Sequence, residues 1–199
     1  MRFSVDSDIL VYAIDTGGGA HHETARDFMA RAAKADCILV LQSLAEFFYA
    51  TTRKGKLAAD KAAAFMDRWT SIFPVHCADP ECLADAIAAV RQHRLSFGDA
   101  LLWATVRKAG FRLLFSEALQ DGRTLRGVTF VNPFAAKNAV LIDAILPGAQ
   151  GRAGRRSPDT ALSGTAAVRP LAATGRRLIL TPCPWSSPKD RCRPPPARR

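Results

Sequence analysis

No apolar run in the 199 residues approaches the ~18–20 needed to cross a bilayer as a helix, so no membrane span is expected. A secretory pattern is missing too. Met1-Arg2-Phe3-Ser4-Val5-Asp6-Ser7-Asp8 places acids where a signal peptide needs its apolar stretch. Cysteine is sparse and without pattern: Cys37, Cys77, Cys82, Cys183 and Cys192 are an odd five, which fits a reduced, cytoplasmic setting and not a disulfide framework. Cys77 and Cys82 have no second Cys/His pair elsewhere, which argues against structural zinc. Gly17-Gly18-Gly19 is not followed by the Lys-Ser/Thr of a phosphate loop and reads as a plain loop. His21-His22 lacks a third ligand nearby in the sequence, and no internal repeat is present.

Acidic residues are scarce in one stretch only. Residues 147–199 hold 2 Asp+Glu against 11 Lys+Arg, whereas residues 1–146 hold 16 against 17. The formal net charge of +10 therefore belongs to the end of the chain, and a generally basic domain is excluded for the rest. Proline divides the chain at the same place: of 12, only Pro74, Pro80 and Pro133 precede residue 147. The expected organisation is one domain over 1–146 and a basic Pro/Arg-rich tail over 147–199, read as disordered. The tail serves either electrostatic contact with RNA or is a non-native extension.

With 48% hydrophobic residues, the first part can bury a core. Arg2–Val5, Cys37–Leu41, Phe73–Cys77, Arg112–Phe115 and Val128–Val131 read as short buried strands. Between them, helical patterns cover Glu23–Lys34, Ser43–Arg53, Ala58–Trp69, Pro80–His93 and Ser96–Lys108, with a last helix over Phe134–Leu146. Trp69 and Trp103 sit at helical positions suited to the core. The alternation predicts an α/β fold with a central parallel sheet of about four to five strands, flanked by helices in three layers.

In such a sheet, ligands bind beyond the carboxyl ends of the strands. Acids cluster in sequence at those places: Asp6 and Asp8 after the first strand, Glu46 after the second, Asp99 in the first turn after Leu95, and Glu117 and Asp121 after Leu113-Leu114-Phe115. Converging carboxylates repel unless a cation neutralises them, and all-oxygen ligands suit Mg²⁺ or Mn²⁺. Each acid also has a plainer explanation. Glu46 could complete a capping box with Ser43, and Asp99 one with Ser96. Asp6 resists it, because it lies between apolar segments and no base stands nearby in the sequence.

The motifs resemble those of PIN-domain nucleases. Val5-Asp6-Ser7-Asp8-Ile9-Leu10-Val11-Tyr12-Ala13 is similar to the family's opening motif, and Gln42-Ser43-Leu44-Ala45-Glu46-Phe47-Phe48 to its second. Leu95-Ser96-Phe97-Gly98-Asp99-Ala100-Leu101 resembles the third and Leu114-Phe115-Ser116-Glu117-Ala118-Leu119-Gln120-Asp121-Gly122 the fourth, with Val131-Asn132-Pro133-Phe134 as the exit. The nearest subgroup is the toxin half of bacterial VapBC toxin–antitoxin pairs. The resemblance implies a Mg²⁺-dependent endoribonuclease (Mn²⁺ as substitute), a cognate antitoxin, an RNA substrate and a homodimer. It implies that Asp6, Glu46 and Asp99 hold the metal, with Glu117 as a further catalytic group and Ser7, Asp8, Ser116 and Asp121 supporting them. Two departures stand out: Asp8 replaces the usual Asn, and Ala118 stands where the family carries its fourth acid. They leave open a non-catalytic PIN-like module that binds RNA or a partner, or another metal hydrolase on a similar sheet. Arg53, Lys54 and Lys56 are candidates for RNA contact or for a solvated charged face.

Overall fold

The computed structural model describes residues 1–53 and 57–148. The tail from residue 149 on, and Lys54 and Lys56 of the basic cluster, lie outside the described residues. Of that cluster Arg53 is described, and its guanidinium stacks on the Tyr49 ring at 5.2 Å.

Strands β1 (Phe3–Val5), β2 (Cys37–Val40), β3 (Val75–His76), β4 (Leu113–Phe115), β5 (Thr124–Leu125) and β6 (Val128–Val131) form one sheet in the order β3-β2-β1-β4-β6-β5. Five are parallel; β5 alone runs antiparallel, to β6. Side chains alternate across the sheet with the period of two that a pleated strand imposes. Phe3, Val5, Leu39, Leu113, Phe115 and Val131 face one core, together with helices α1 (Ser7–Ile14), α2 (Ala20–Ala32), α3 (Leu41–Arg53), α4 (Ala59–Ile72) and α7 (Ala139–Ile145). Ile38, Val40, Leu114, Val128 and Phe130 face the other, against α5 (Pro80–His93) and α6 (Phe97–Lys108). The chain is thus a three-layer α/β fold of the expected kind. Trp69 and Trp103 are both buried, and the Trp103 indole N–H donates to the Leu125 carbonyl at 3.0 Å, tying α6 to β5.

Local rules explain most boundaries. Asp79 caps α5 by accepting from the Cys82 amide at 2.9 Å, and Pro80 occupies the first turn, where its missing N–H costs nothing. Ser96 caps α6, and Gly110 ends it with the left-handed φ of 80° that glycine adopts freely. Two expectations are corrected. Helix α3 begins at Leu41, directly on the end of β2, so Ser43 is not its cap. The Ser43 hydroxyl is buried and donates to the Val5 carbonyl at 3.2 Å. The expected last helix splits into a 3-10 turn (Ala136–Asn138) and a shorter α7. Among the described residues, no helix is long and apolar enough to cross a membrane.

The topology decides where a site can form. The chain leaves β1 towards β2 and β3 on one side, then returns to place β4 on the other. The carboxyl end of β1 is therefore the switch point of the sheet, the usual place for a ligand crevice. Asp6 is the residue that follows β1.

Candidate carboxylate site

Asp6 caps α1 from extended backbone (φ −80°, ψ 164°). Its Oδ1 accepts from the Ser7 amide at 2.6 Å and the Ser7 hydroxyl at 3.2 Å, and its Oδ2 from the Ser116 hydroxyl at 2.8 Å. Both carboxylate oxygens are thus held by the chain, and the residue is 6% exposed. Burial pushes the Asp6 carboxyl above its ordinary range; hydrogen bonds from Ser116 and Ser7 oppose this, and the negative charges of Glu46 and Asp99 add to it.

Ser7 links two acids. Its hydroxyl lies 3.0 Å from Glu46 Oε2 as well as 3.2 Å from Asp6 Oδ1. Gln42, one turn before Glu46 on α3, fixes the other oxygen: its Nε2 donates to Glu46 Oε1 at 2.8 Å and to the Gly98 carbonyl at 2.9 Å. That second bond joins α3 to the start of α6, where Asp99 sits in the first turn. The Asp99 amide donates to Ser96 Oγ at 3.1 Å, and the Asp99 carboxylate makes no hydrogen bond or ion pair among the described residues. Neither Glu46 nor Asp99 completes the capping box that would have explained it locally.

Asp8, in the first turn of α1, joins the group. Its Oδ1 accepts from the Ile9 amide at 2.6 Å and its Oδ2 from the Glu117 amide at 2.8 Å. Burial, then the charge of Asp6, pushes its carboxyl up to about 7, against the hydrogen bonds that hold it. Ser116 is fully buried. While donating to Asp6 it accepts from the Ala118 and Leu119 amides at 3.1 and 3.3 Å, which pins the loop after β4 under the site.

Asp6, Asp8, Glu46, Asp99, Ser7 and Ser116 are therefore brought together. Glu117 joins through its amide only. Its carboxylate accepts from the Tyr12 hydroxyl at 2.8 Å and lies 3.1 Å from His21 Nε2. The Tyr12 phenol is pushed up to about 12, first by that hydrogen bond. Asp121 is not in the group. It accepts from the Asn132 amide and Asn138 Nδ2, both at 2.8 Å, and pairs with Lys137 at 2.6 Å. Burial raises its carboxyl, but the Lys137, Asn132 and Asn138 contacts outweigh that and leave it low. Neither Gln42 nor Tyr12 stands out as a site residue in the sequence, and His21 does so only beside His22, as a pair without a third ligand. The Gln42–Glu46 spacing of one helical turn was a signal for the first; nothing local links His21 to Glu117.

The donor set suits a hard divalent cation. It is all oxygen, and no Lys or Arg among the described residues pairs with Asp6, Asp8, Glu46 or Asp99. The Gln42 Oε1 beside Glu46 is buried without a hydrogen-bond donor among the described residues. The spacing is wider than a metal shell: among the described residues, no three His, Cys, Asp or Glu side chains stand close enough together to hold an ion.

Residues 4–118 match the PIN domain family. The chain belongs to that family. No curated protein matches it in sequence. Among solved structures, this PIN domain is similar to VapBC2 from Rickettsia felis, bound to a DNA fragment from its promoter: 15% identity over 66% of this chain and 98% of that one, TM-score 0.50. It is also similar to PAE2754 from Pyrobaculum aerophilum, at 17% identity over 72% and 96% with TM-score 0.50. A third is VapC20 from Mycobacterium tuberculosis, described as a toxin cleaving the sarcin-ricin loop, at 24% identity over 57% and 87% with TM-score 0.48. At these identities the likeness is one of fold.

Proposed function

We propose that this PIN domain is a Mg²⁺-dependent endoribonuclease and the toxin of a toxin–antitoxin pair, acting in the cytoplasm as a homodimer restrained by a cognate antitoxin. The observation that carries the catalytic part is Asp6 at the sheet's switch point, its carboxyl raised first by burial and further by the charges of Glu46 and Asp99. The toxin role and the partners rest on the resemblance of its motifs to VapBC toxins. Asp6, Glu46 and Asp99 would hold the ion, Mn²⁺ serving as substitute. When bound, the ion supplies an activated water and neutralises charge on the attacked phosphate.

The chain's own residues do the rest. Ser7 and Ser116 orient the Asp6 carboxylate, and Ser7 and Gln42 orient Glu46. Asp99, free of hydrogen bonds, is the carboxylate that can draw in. We assign Glu117 to holding the loop after β4 through Tyr12 and His21, and Asp121 to bracing the exit after β6. A second reading, a PIN-like module that binds RNA or a partner without cutting, is favoured by Ala118 in the fourth acid's place and by the engagement of Glu117.

Cleavage of single-stranded RNA in Mg²⁺ decides between them. The parent chain is expected to cut, and Asp6→Asn or Asp99→Asn to lose at least a hundredfold in rate while keeping the parent's circular dichroism. Both variants cutting at the parent rate would refute the acidic-site mechanism. A parent that binds RNA and never cuts it would leave the binding module.

A further inference from the structure

A second concave site lies at the other end of α6. Asp99 is in that helix's first turn and Arg107 in its last, which separates them by about 12 Å along the axis at 1.5 Å per residue. Arg107, Arg112 and Arg126 line a cavity of about 190 Å³ there, with Gly110, Phe111 and Val128. We propose that this cleft binds a phosphate group.

The charges are unbalanced in the cleft and balanced around it. Asp85 is the one carboxylate paired with these three guanidinium groups among the described residues: it takes Arg107 directly and Arg126 at 3.8 Å. Arg112 has no carboxylate partner among them. The neighbouring cations are already matched, Lys108 by Asp79 and Glu81, Arg2 by Asp36. Three guanidinium groups against one acid favour an anion, and the planar guanidinium fork suits phosphate oxygens in particular.

The cleft is also built, not merely charged. Arg107 stacks on the Trp103 ring at 5.4 Å, which holds its guanidinium, and its Nε is buried with no acceptor among the described residues. Arg126 and Gly127 form the two-residue turn between β5 and β6, both left-handed at φ 43° and 85°. Asn or Asp is the usual first residue of such a turn, and arginine is strained there. A Cβ at position 127 would stand 2.9 Å from Arg112 Nη1, so the Arg112 guanidinium lies against the turn. Arg126, in left-handed backbone, and Arg112, against Gly127, line the same cavity.

The ligand is a phosphate borne either by an RNA strand or by a small molecule, and the test separates the two. Binding of inorganic phosphate to the full chain is measured by calorimetry at constant ionic strength, without divalent cation, so that the carboxylate site does not contribute. The variant is Arg112→Ala with Arg126→Asn, Asn being tolerant of left-handed backbone; Arg112→Ala alone replaces it if the pair alters the melting curve. The control is Arg176→Ala with Arg177→Ala in the basic tail. Phosphate affinity is expected to fall at least fivefold in the variant and to stay at the parent value in the control. No measurable phosphate binding by the parent, an unchanged affinity in the variant, or an equal loss in the control would each overturn the proposal. With phosphate binding lost, the salt dependence of single-stranded RNA binding names the source. A slope shallower by about 0.7 per lost contact means a strand phosphate; an unchanged slope means a small phosphate-bearing ligand.

Discussion

Asp8→Asn is the most informative single substitution, because it separates stability from function at one atom. The Asp8 carboxyl is raised from 3.8 to about 7 by burial and by Asp6. A rise of about three units corresponds to roughly 4 kcal/mol at 1.36 kcal/mol per unit. The sign follows from linkage. The folded state holds the proton more tightly than the unfolded chain, so the stabilisation it confers is fully present below about pH 4 and is lost as pH rises through about 7. The parent should therefore lose stability across that window in the absence of divalent cation.

Asparagine cannot ionise and removes the loss, but it has one carbonyl oxygen for two amides. Ile9 and Glu117 donate to different oxygens of Asp8, so one of them is left unpaired, at about 1–3 kcal/mol. The net gain at pH 8 is then about 1–3 kcal/mol, or roughly 3–10 °C in melting temperature for a domain of this size. Near pH 4 the gain should vanish or reverse. Thermal denaturation of parent and variant in chelator at both pH values measures it. A variant no more stable than the parent at pH 8, or a gain of equal size at both, would show that Asp8 is not a buried charge in conflict with Asp6.

Other outcomes are expected from the same geometry. Ser116→Ala should cost about 1.5–3 kcal/mol by removing a hydrogen bond to a charged group and the shared acceptor of the Ala118 and Leu119 amides, visible as a lower urea midpoint with an unchanged slope. Ala118 is exposed at the carboxyl end of the sheet, so Ala118→Asp should lower the Mg²⁺ concentration for half-maximal RNA cleavage and destabilise the cation-free protein at pH 8; an unchanged midpoint would mean that position 118 points away from the site. A chain ending at residue 148 should keep one cooperative thermal transition, since among the described residues both cores are filled from residues 3–146. Loss of the transition would make the tail part of the folding unit.

Much of the frame was legible because local rules act over a few residues. Pro80 after an acidic cap set the start of α5, and the apolar runs Val128–Val131 and Leu113–Phe115 were recognisable as buried strands. The four-motif order marked Asp6, Glu46 and Asp99; Asp6 follows β1, Glu46 lies on α3 after β2, and Asp99 comes from the first turn of α6, which follows α5 and not a strand. Strand β5 was not legible, because two residues carry no periodicity and pair only through the Arg126-Gly127 turn. The start of α3 was misjudged because Val40 runs into Leu41 with no punctuating residue, and Ser43 looked like a cap by its type alone.

The roles of individual acids divide along the same line. Which residues are acidic is a matter of sequence. Which of them meet is decided by long-range contacts that leave no local trace. Ser116 reaches Asp6 across 110 positions, Tyr12 takes Glu117 across 105, and Lys137 draws Asp121 aside. A carboxylate's chemistry depends on its neighbours within a few ångströms. Sequence order sets that neighbourhood only along a helix; across the sheet, strand order sets it.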